Sequence, residues 1–191
     1  MWVLLLPFAY LLGTFPSASM VARANGIDIR NVGSGNPGAS NVTRVLGWRK
    51  GIWVFVLDAA KGAVAAGGGL LLGGRPAGYA LGAAAVVGHV FPFLQRFRGG
   101  KGVATAGGMA AVLSPIAFVV MVAAWFFVSR VTHTASVASI FVIVALPVGV
   151  WIEQRRWWEV IVVIVINALV MARHGGNVRR LLTRREHAIS S

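Results

Sequence analysis

The amino-acid sequence predicts an all-α integral membrane protein of about seven transmembrane helices, some of them short, with the N-terminus outside and the C-terminus cytoplasmic. Three observations predict it. Hydrophobic residues make up 57% of the 191 positions and charged residues 12%, with a mean hydropathy of +0.76, beyond the range of a soluble domain. The apolar residues fall in runs comparable to a membrane span, separated by short polar segments. The 18 Lys and Arg, against five carboxylates, gather in those segments, so they can be counted for orientation. No segment has the polar, basic face that nucleic acid needs, so none is expected as a partner. The charge is assigned instead to topology, to anionic membrane lipids and to an anionic substrate.

The first span runs from Met1 to about Val21, where Pro7 and Pro16 would kink it. It lacks a basic leader segment and is read as a retained span. Residues 22–50 form a polar loop rich in Gly and Asn that carries Arg23, Arg30, Arg44, Arg49 and Lys50. A second span covers Gly51 to Leu72 and closes on the turn Gly73-Gly74-Arg75-Pro76; a third covers Ala77 to about Phe93. The apolar stretch from Val103 to Phe127 is interrupted at Ser114-Pro115, and the last spans lie at about Ala135 to Val150 and Trp157 to Ala172, followed by a basic tail. If Ser114-Pro115 is a turn between two short helices, only Arg75, Arg155 and Arg156 fall outside and 14 cations fall inside; if it is a kink, the split is 7 against 10. Positive-inside counting therefore selects seven spans, of which the fourth, at roughly ten residues, is a partial helix.

On that topology every polar cluster faces the cytoplasm. Arg96, Arg98 and Lys101 interleave with Gly99, Gly100 and Gly102. Glycines allow backbone N–H groups to turn toward an anion, and the cations supply countercharge. Gly102 follows the Gly-Lys pair where a nucleotide P-loop needs Ser or Thr. Upstream, Ser34, Asn36, Ser40, Asn41 and Arg44 form a second candidate anion cradle, or a turn capped by Ser40 or Asn41. Asp58 and Lys61 lie three apart on one helical face inside the second span, where ionisable residues face the protein interior and either order a site or tie helices. His89, at the end of the third span, reads as a structural residue or a general base. Thr132, Thr134, Ser136 and Ser139 read as caps or interhelical bonds. In the tail His174 and Asn177 share a face, and Arg173 and Arg180 are a heptad apart. No histidine or carboxylate spacing suggests a metal, and none is expected. Cysteine is absent, which excludes disulfide and thiol chemistry.

Five segments in order carry a family resemblance. They are Ser34 to Asn41 with Arg44; Asp58-Ala-Ala-Lys61-Gly62; Gly88-His-Val-Phe-Pro92 through Arg98-Gly-Gly-Lys-Gly-Val-Ala-Thr105; Ser136-Val-Ala-Ser-Ile140; and His174, Asn177 and Arg180-Leu-Leu182. Over about Phe15 to Glu186 the chain resembles the bacterial acyl-phosphate:glycerol-3-phosphate acyltransferase family known as PlsY. Departures are Ser40 for the usual threonine, Gly175 and Gly176 for the common Arg-Glu, and Arg184 where glycine is common.

The resemblance implies a multi-pass enzyme of the bacterial cytoplasmic (inner) membrane, with its active site facing the cytoplasm and residues 1–191 forming one acyltransferase domain. Such enzymes move a fatty acyl group from a long-chain acyl phosphate to the 1-hydroxyl of glycerol 3-phosphate, giving lysophosphatidic acid and phosphate, without a cofactor. It implies catalytic roles for Ser34, Arg44, Lys101 and His89. Substrate binding would fall to Asn36, Asn41, Lys61, Gly99, Gly100, Gly102, Thr105, Ser136, His174, Asn177 and Arg180. Acyl phosphate is already activated, so two cationic cradles that hold two anions together fit the chemistry without thiol or metal. The alternative is a transporter or binding protein for an organophosphate, but the paired broken helices of inverted repeats are not visible in the sequence.

Overall fold

The computed structural model describes residues 1–154 and 156–189; Arg155, one of the expected outward cations, lies outside them. The regular structure of the described residues is all helix, without strands. The helices are α1 (Leu6–Gly13), α2 (Ser17–Arg23), α3 (Ala39–Leu46), α4 (Trp48–Val90), α5 (Val103–Leu113), α6 (Pro115–Thr132), α7 (Ala135–Gln154), α8 (Trp157–Ala172) and α9 (Gly175–Leu182). The chain forms two compact units, Met1–Met109 and the part from Ala110 onward.

Among the described residues four stretches are long and apolar enough to cross a membrane: Trp2–Arg23, Trp48–Gln95, Pro115–Thr132 and Ala135–Gln154. The pair α8 and α9, bent by 59°, makes a fifth, and α5 is a shorter apolar helix. Trp48–Gln95 is two helices joined at Gly73 and Gly74. Seven apolar helical segments therefore stand where the sequence placed them. Their outer faces carry Phe8, Val64, Leu71, Val119, Phe127, Val144 and Ile164 exposed, a distribution suited to lipid and costly in water.

In the first unit a single turn organises the packing. Gly74 adopts φ +69°, ψ −166°, a backbone shape open to glycine, and Pro76 starts the returning helix without losing a needed donor. A Cβ on Gly69 would strike the Ala77 carbonyl, so the two arms touch backbone to backbone. α1 runs parallel to the returning arm: Trp2 lies at Gly73, Gly13 at Ala85 and Tyr10 at Gly88. Tyr10 Oη donates to Phe91 O at 2.8 Å. The start of α5 seats against the outgoing arm, where Gly62 faces the Thr105 carbonyl and Gly108 the Ala59 carbonyl; small residues permit this approach.

Pro7 does not kink the first span, contrary to expectation, because it occupies the first turn of α1, where a missing N–H costs nothing. The break falls at Thr14 to Pro16, where the second of the two kinks was expected. It frees the Phe15 carbonyl from the helix ladder and leaves it available to the site.

In the second unit Ser114 has φ −149°, ψ 70° and separates α5 from α6. α6 and α7 are antiparallel. Glu153 accepts from Ala117 N at 2.8 Å, and Gln154 Nε2 donates to Leu113 O at 3.2 Å, so Ser114-Pro115 lies at the end of the hairpin where α7 finishes. Trp125 Nε1 donates to Ser139 Oγ (3.1 Å), and Asn167 Nδ2 to Ile143 O (2.7 Å), pinning α6 and α8 to α7.

Candidate active site

The first unit contains a small polar recess at the end of α4. Its lining includes Thr14, Ser17, Pro37, Lys61, His89 and Gly100. Asp58 and Lys61 form its floor. Lys61 Nζ donates to Asp58 Oδ1 and to the freed Phe15 carbonyl, each at 2.6 Å, and Ser17 Oγ donates to Asp58 Oδ1 at 2.7 Å. His89 Nδ1 is 3.5 Å from Lys61 Nζ and 3.6 Å from Asp58 Oδ1. All four side chains are buried. In a low-dielectric interior such a pair persists only if its remaining valences are filled, and Phe15 and Ser17 fill them.

Gly99 and Gly100 lie flat on the end of α4 above this floor. Gly99 N donates to Val90 O (3.3 Å) and Gly100 N to His89 O (3.1 Å). Their amides therefore cap the last carbonyls of the helix and do not point at an anion, which corrects the expected use of these two glycines. What requires glycine is proximity. A Cβ on Gly99 would meet the His89 and Val90 carbonyls and Pro92, and one on Gly100 would meet the His89 ring. Lys101 and Gly102 follow directly and lead into α5.

Between the glycine loop and the upstream loop runs a link that sequence reasoning missed. Arg30 Nη2 donates to Gln95 Oε1 at 2.7 Å and to Arg98 O at 3.2 Å, while Gln95 Nε2 donates to Thr14 O at 3.0 Å. Arg30 was visible in the sequence only as one cation among five in its loop. Ser17 carried no signal beyond following Pro16.

The upstream cradle is built around Asn41. Its Oδ1 accepts from Ser34 N (2.8 Å) and Arg44 Nη1 (3.2 Å), and its Nδ2 donates to Val32 O (3.0 Å) and Ile29 O (3.2 Å). The amide has both hydrogens used, and it is buried. Asn41 thus shapes the loop and presents Ser34 and Arg44; neither it nor Ser40 caps α3, which starts after Gly38 without a side-chain cap. Asn36 and Ser34 sit on the same turn, with Asn36 N 3.5 Å from Ser34 Oγ.

Two further residues expected to bind substrate, Lys61 and Thr105, are buried. The Lys61 ammonium donates to Phe15 O and Asp58 Oδ1 and lies 3.5 Å from His89 Nδ1, so Lys61 braces the floor. Thr105 is wholly buried in the α4–α5 seam, with its carbonyl against Gly62.

In the second unit two of the expected tail residues converge on Glu186, which accepts from Asn177 Nδ2 (2.8 Å) and Arg180 Nε (3.0 Å). A carboxylate thus holds the two groups expected to bind substrate. His174 is buried, with Nδ1 2.8 Å from Val170 O. Ser136 is buried within α7, with no hydrogen bond to its hydroxyl among the described residues. Gly175 and Gly176 open α9, and a Cβ at Gly175 would meet nothing.

Arg184 closes the turn after α9 with φ +55°, while Arg185 N donates back to Arg180 O at 2.8 Å. A left-handed residue at this position is ordinarily glycine, and a side chain there costs about 1 kcal/mol. Arg184→Gly is therefore expected to stabilise the protein by about that amount, seen as a thermal midpoint raised by a few degrees; an unchanged or lower midpoint would contradict it.

A family model described as glycerol-3-phosphate acyltransferase matches residues 3–184. The chain is 40% identical to the glycerol-3-phosphate acyltransferase of Aquifex aeolicus, over 94% of this chain and 95% of the relative. It is 38% identical to that of Bacillus velezensis, over 97% and 96%. Two crystal structures of PlsY, an integral membrane glycerol 3-phosphate acyltransferase, superimpose on it. The glycerol 3-phosphate form gives a TM-score of 0.93 at 38% identity, covering 99% of this chain and 96% of the other. The lysophosphatidic acid form gives 0.91 at 36%, covering 98% and 94%.

Proposed function

The chain belongs to the glycerol-3-phosphate acyltransferase family, and on that premise we propose that its recess is where the 1-hydroxyl of glycerol 3-phosphate takes a fatty acyl group from a long-chain acyl phosphate. The protein is an integral membrane acyltransferase of phospholipid biosynthesis. The family match runs through both compact units, which supports reading residues 1–191 as one catalytic domain.

The observation that carries the reading is the glycine loop seated over the buried Asp58–Lys61–His89 cluster, with Lys101 immediately beyond it. Because Gly99 and Gly100 spend their amides on α4, the anion-facing groups of this loop are the Lys101 ammonium, the backbone of Gly102 and the first turn of α5, whose N–H groups carry partial positive charge. Ser34 and Arg44, presented by Asn41, make the second cradle. Two cationic cradles offset the repulsion between two phosphates, and holding the hydroxyl against the acyl carbon supplies the entropic part of the acceleration. The hydroxyl oxygen bonds to the acyl carbon, the bond from that carbon to the phosphate oxygen breaks, and the hydroxyl proton leaves with the phosphate.

The recess opens at the end of the first unit that carries Arg30, Arg96 and Arg98, and positive-inside counting supports a cytoplasmic location for that end. The N-terminus is then outside and the acyl chain lies in the membrane.

Purified protein given palmitoyl phosphate and glycerol 3-phosphate is expected to form lysophosphatidic acid, and absence of product with intact acyl phosphate would overturn the reading. Lys101→Ala and Arg44→Ala should each lower turnover by about 10² to 10³-fold, the value of a preorganised donor at developing charge, with the thermal midpoint retained. Full activity in either variant would return that cation to a role in topology.

A further inference from the structure

His89 reads from the sequence as a structural residue or a general base, and its two ring nitrogens separate these roles. Nδ1 faces the buried pair. An ammonium has three hydrogens and no lone pair; Lys61 directs one at Phe15 O and one at Asp58 Oδ1. For the third, the acceptor within reach among the described residues is Nδ1 of His89, at 3.5 Å. Placing the imidazole proton on Nδ1 would set an N–H against the ammonium and strand a buried donor. Asp58 Oδ1 has no need of that proton, since Ser17 and Lys61 already donate to it.

A neutral imidazole whose Nδ1 accepts carries its proton on Nε2. Nε2 lies under the glycine loop, where a Cβ on Gly100 would meet it before any other atom. The ring is 8% exposed, and it lines the recess together with Gly99 and Gly100.

We infer that His89 serves the acyl transfer as a neutral hydrogen-bond donor, through Nε2–H, to an anionic oxygen held at the glycine loop, with Asp58 and Lys61 as positioning residues that fix its tautomer. The inference rests on the acyltransferase reading of the recess. An imidazole with Nδ1 engaged and Nε2 protonated has no lone pair with which to take the hydroxyl proton. His89 is then not the base, and the proton departs on the leaving phosphate.

Two variants discriminate donor from base. Glutamine places an amide N–H close to the position of Nε2, so His89→Gln should keep kcat within about tenfold, while His89→Ala loses about 10² to 10³-fold. Equal losses in the two variants overturn the inference. A second measurement needs no variant of His89: histidine-selective ¹⁵N NMR of the wild-type enzyme, with the resonance assigned by elimination against the other three histidines. Near neutral pH the expected form is the Nε2–H tautomer; an Nδ1–H tautomer or an imidazolium overturns the inference. The failures are distinct. Wild-type protein that makes no lysophosphatidic acid sinks the acyltransferase reading, whereas wild-type turnover with equally damaged Gln and Ala variants sinks the donor role alone.

Discussion

Asp58→Ala is expected to destabilise the protein by about 3–5 kcal/mol, the cost of stranding a buried charge, and to lower its thermal midpoint in detergent by on the order of 10 °C. The Lys61 ammonium would keep the Phe15 carbonyl but lose its carboxylate, and Ser17 would lose its acceptor. The double variant Asp58→Leu with Lys61→Met removes both charges and should recover most of the midpoint, because two apolar side chains replace a pair whose desolvation cost is large. Activity should not recover with it, since His89 has then lost the donor that sets its ring. A midpoint unaffected by Asp58→Ala would mean that the pair is solvated and contributes little. A double variant that regains both midpoint and turnover would mean that the cluster serves stability alone.

Gly100→Ala should leave the fold in place and cut kcat/KM by about 10²-fold or more, the penalty for displacing a catalytic group by about 1 Å. The added methyl falls on the His89 ring, so either the loop lifts and carries Lys101 away from the floor, or the imidazole turns out of its place under the loop. Gly175→Ala is the matched control, because its Cβ meets nothing; it should change turnover little. Wild-type kinetics in Gly100→Ala would show that the loop tolerates a side chain and that its contact with His89 is incidental.

Much of the fold was legible from the chain. Hydropathy and the placement of cations are local properties of a membrane sequence, because lipid excludes unpaired backbone and charge whatever the neighbouring helices do. The segments around Gly73-Gly74 and Ser114-Pro115 broke where expected, since Gly and Pro act on their own backbone. Pro7 misled because the same residue kinks a helix in its interior and starts one in its first turn; the difference depends on where the helix begins. The candidate site was legible as a set of residues but not as a set of roles. Asn41 has the chemistry of a phosphate ligand, and its partners turned out to be Ser34, Arg44, Ile29 and Val32. Arg30 and Gln95 meet across 65 positions of sequence, a distance over which no spacing rule applies.

By itself, then, the sequence determined an all-helical membrane protein, the order of its helices, and the small, amide and cationic segments that carry its chemistry, since each follows from how a stretch of chain meets lipid or water. The tertiary structure alone decided which way those groups face. It turned the Gly99 and Gly100 amides onto α4, spent Lys61 on the floor of the recess, gave Asn177 and Arg180 a carboxylate in Glu186, and set His89 with one nitrogen toward a cation and the other toward the loop. Hydrogen-bonding capacity belongs to a residue, but whether it is already filled depends on neighbours that only folding brings within 3.5 Å.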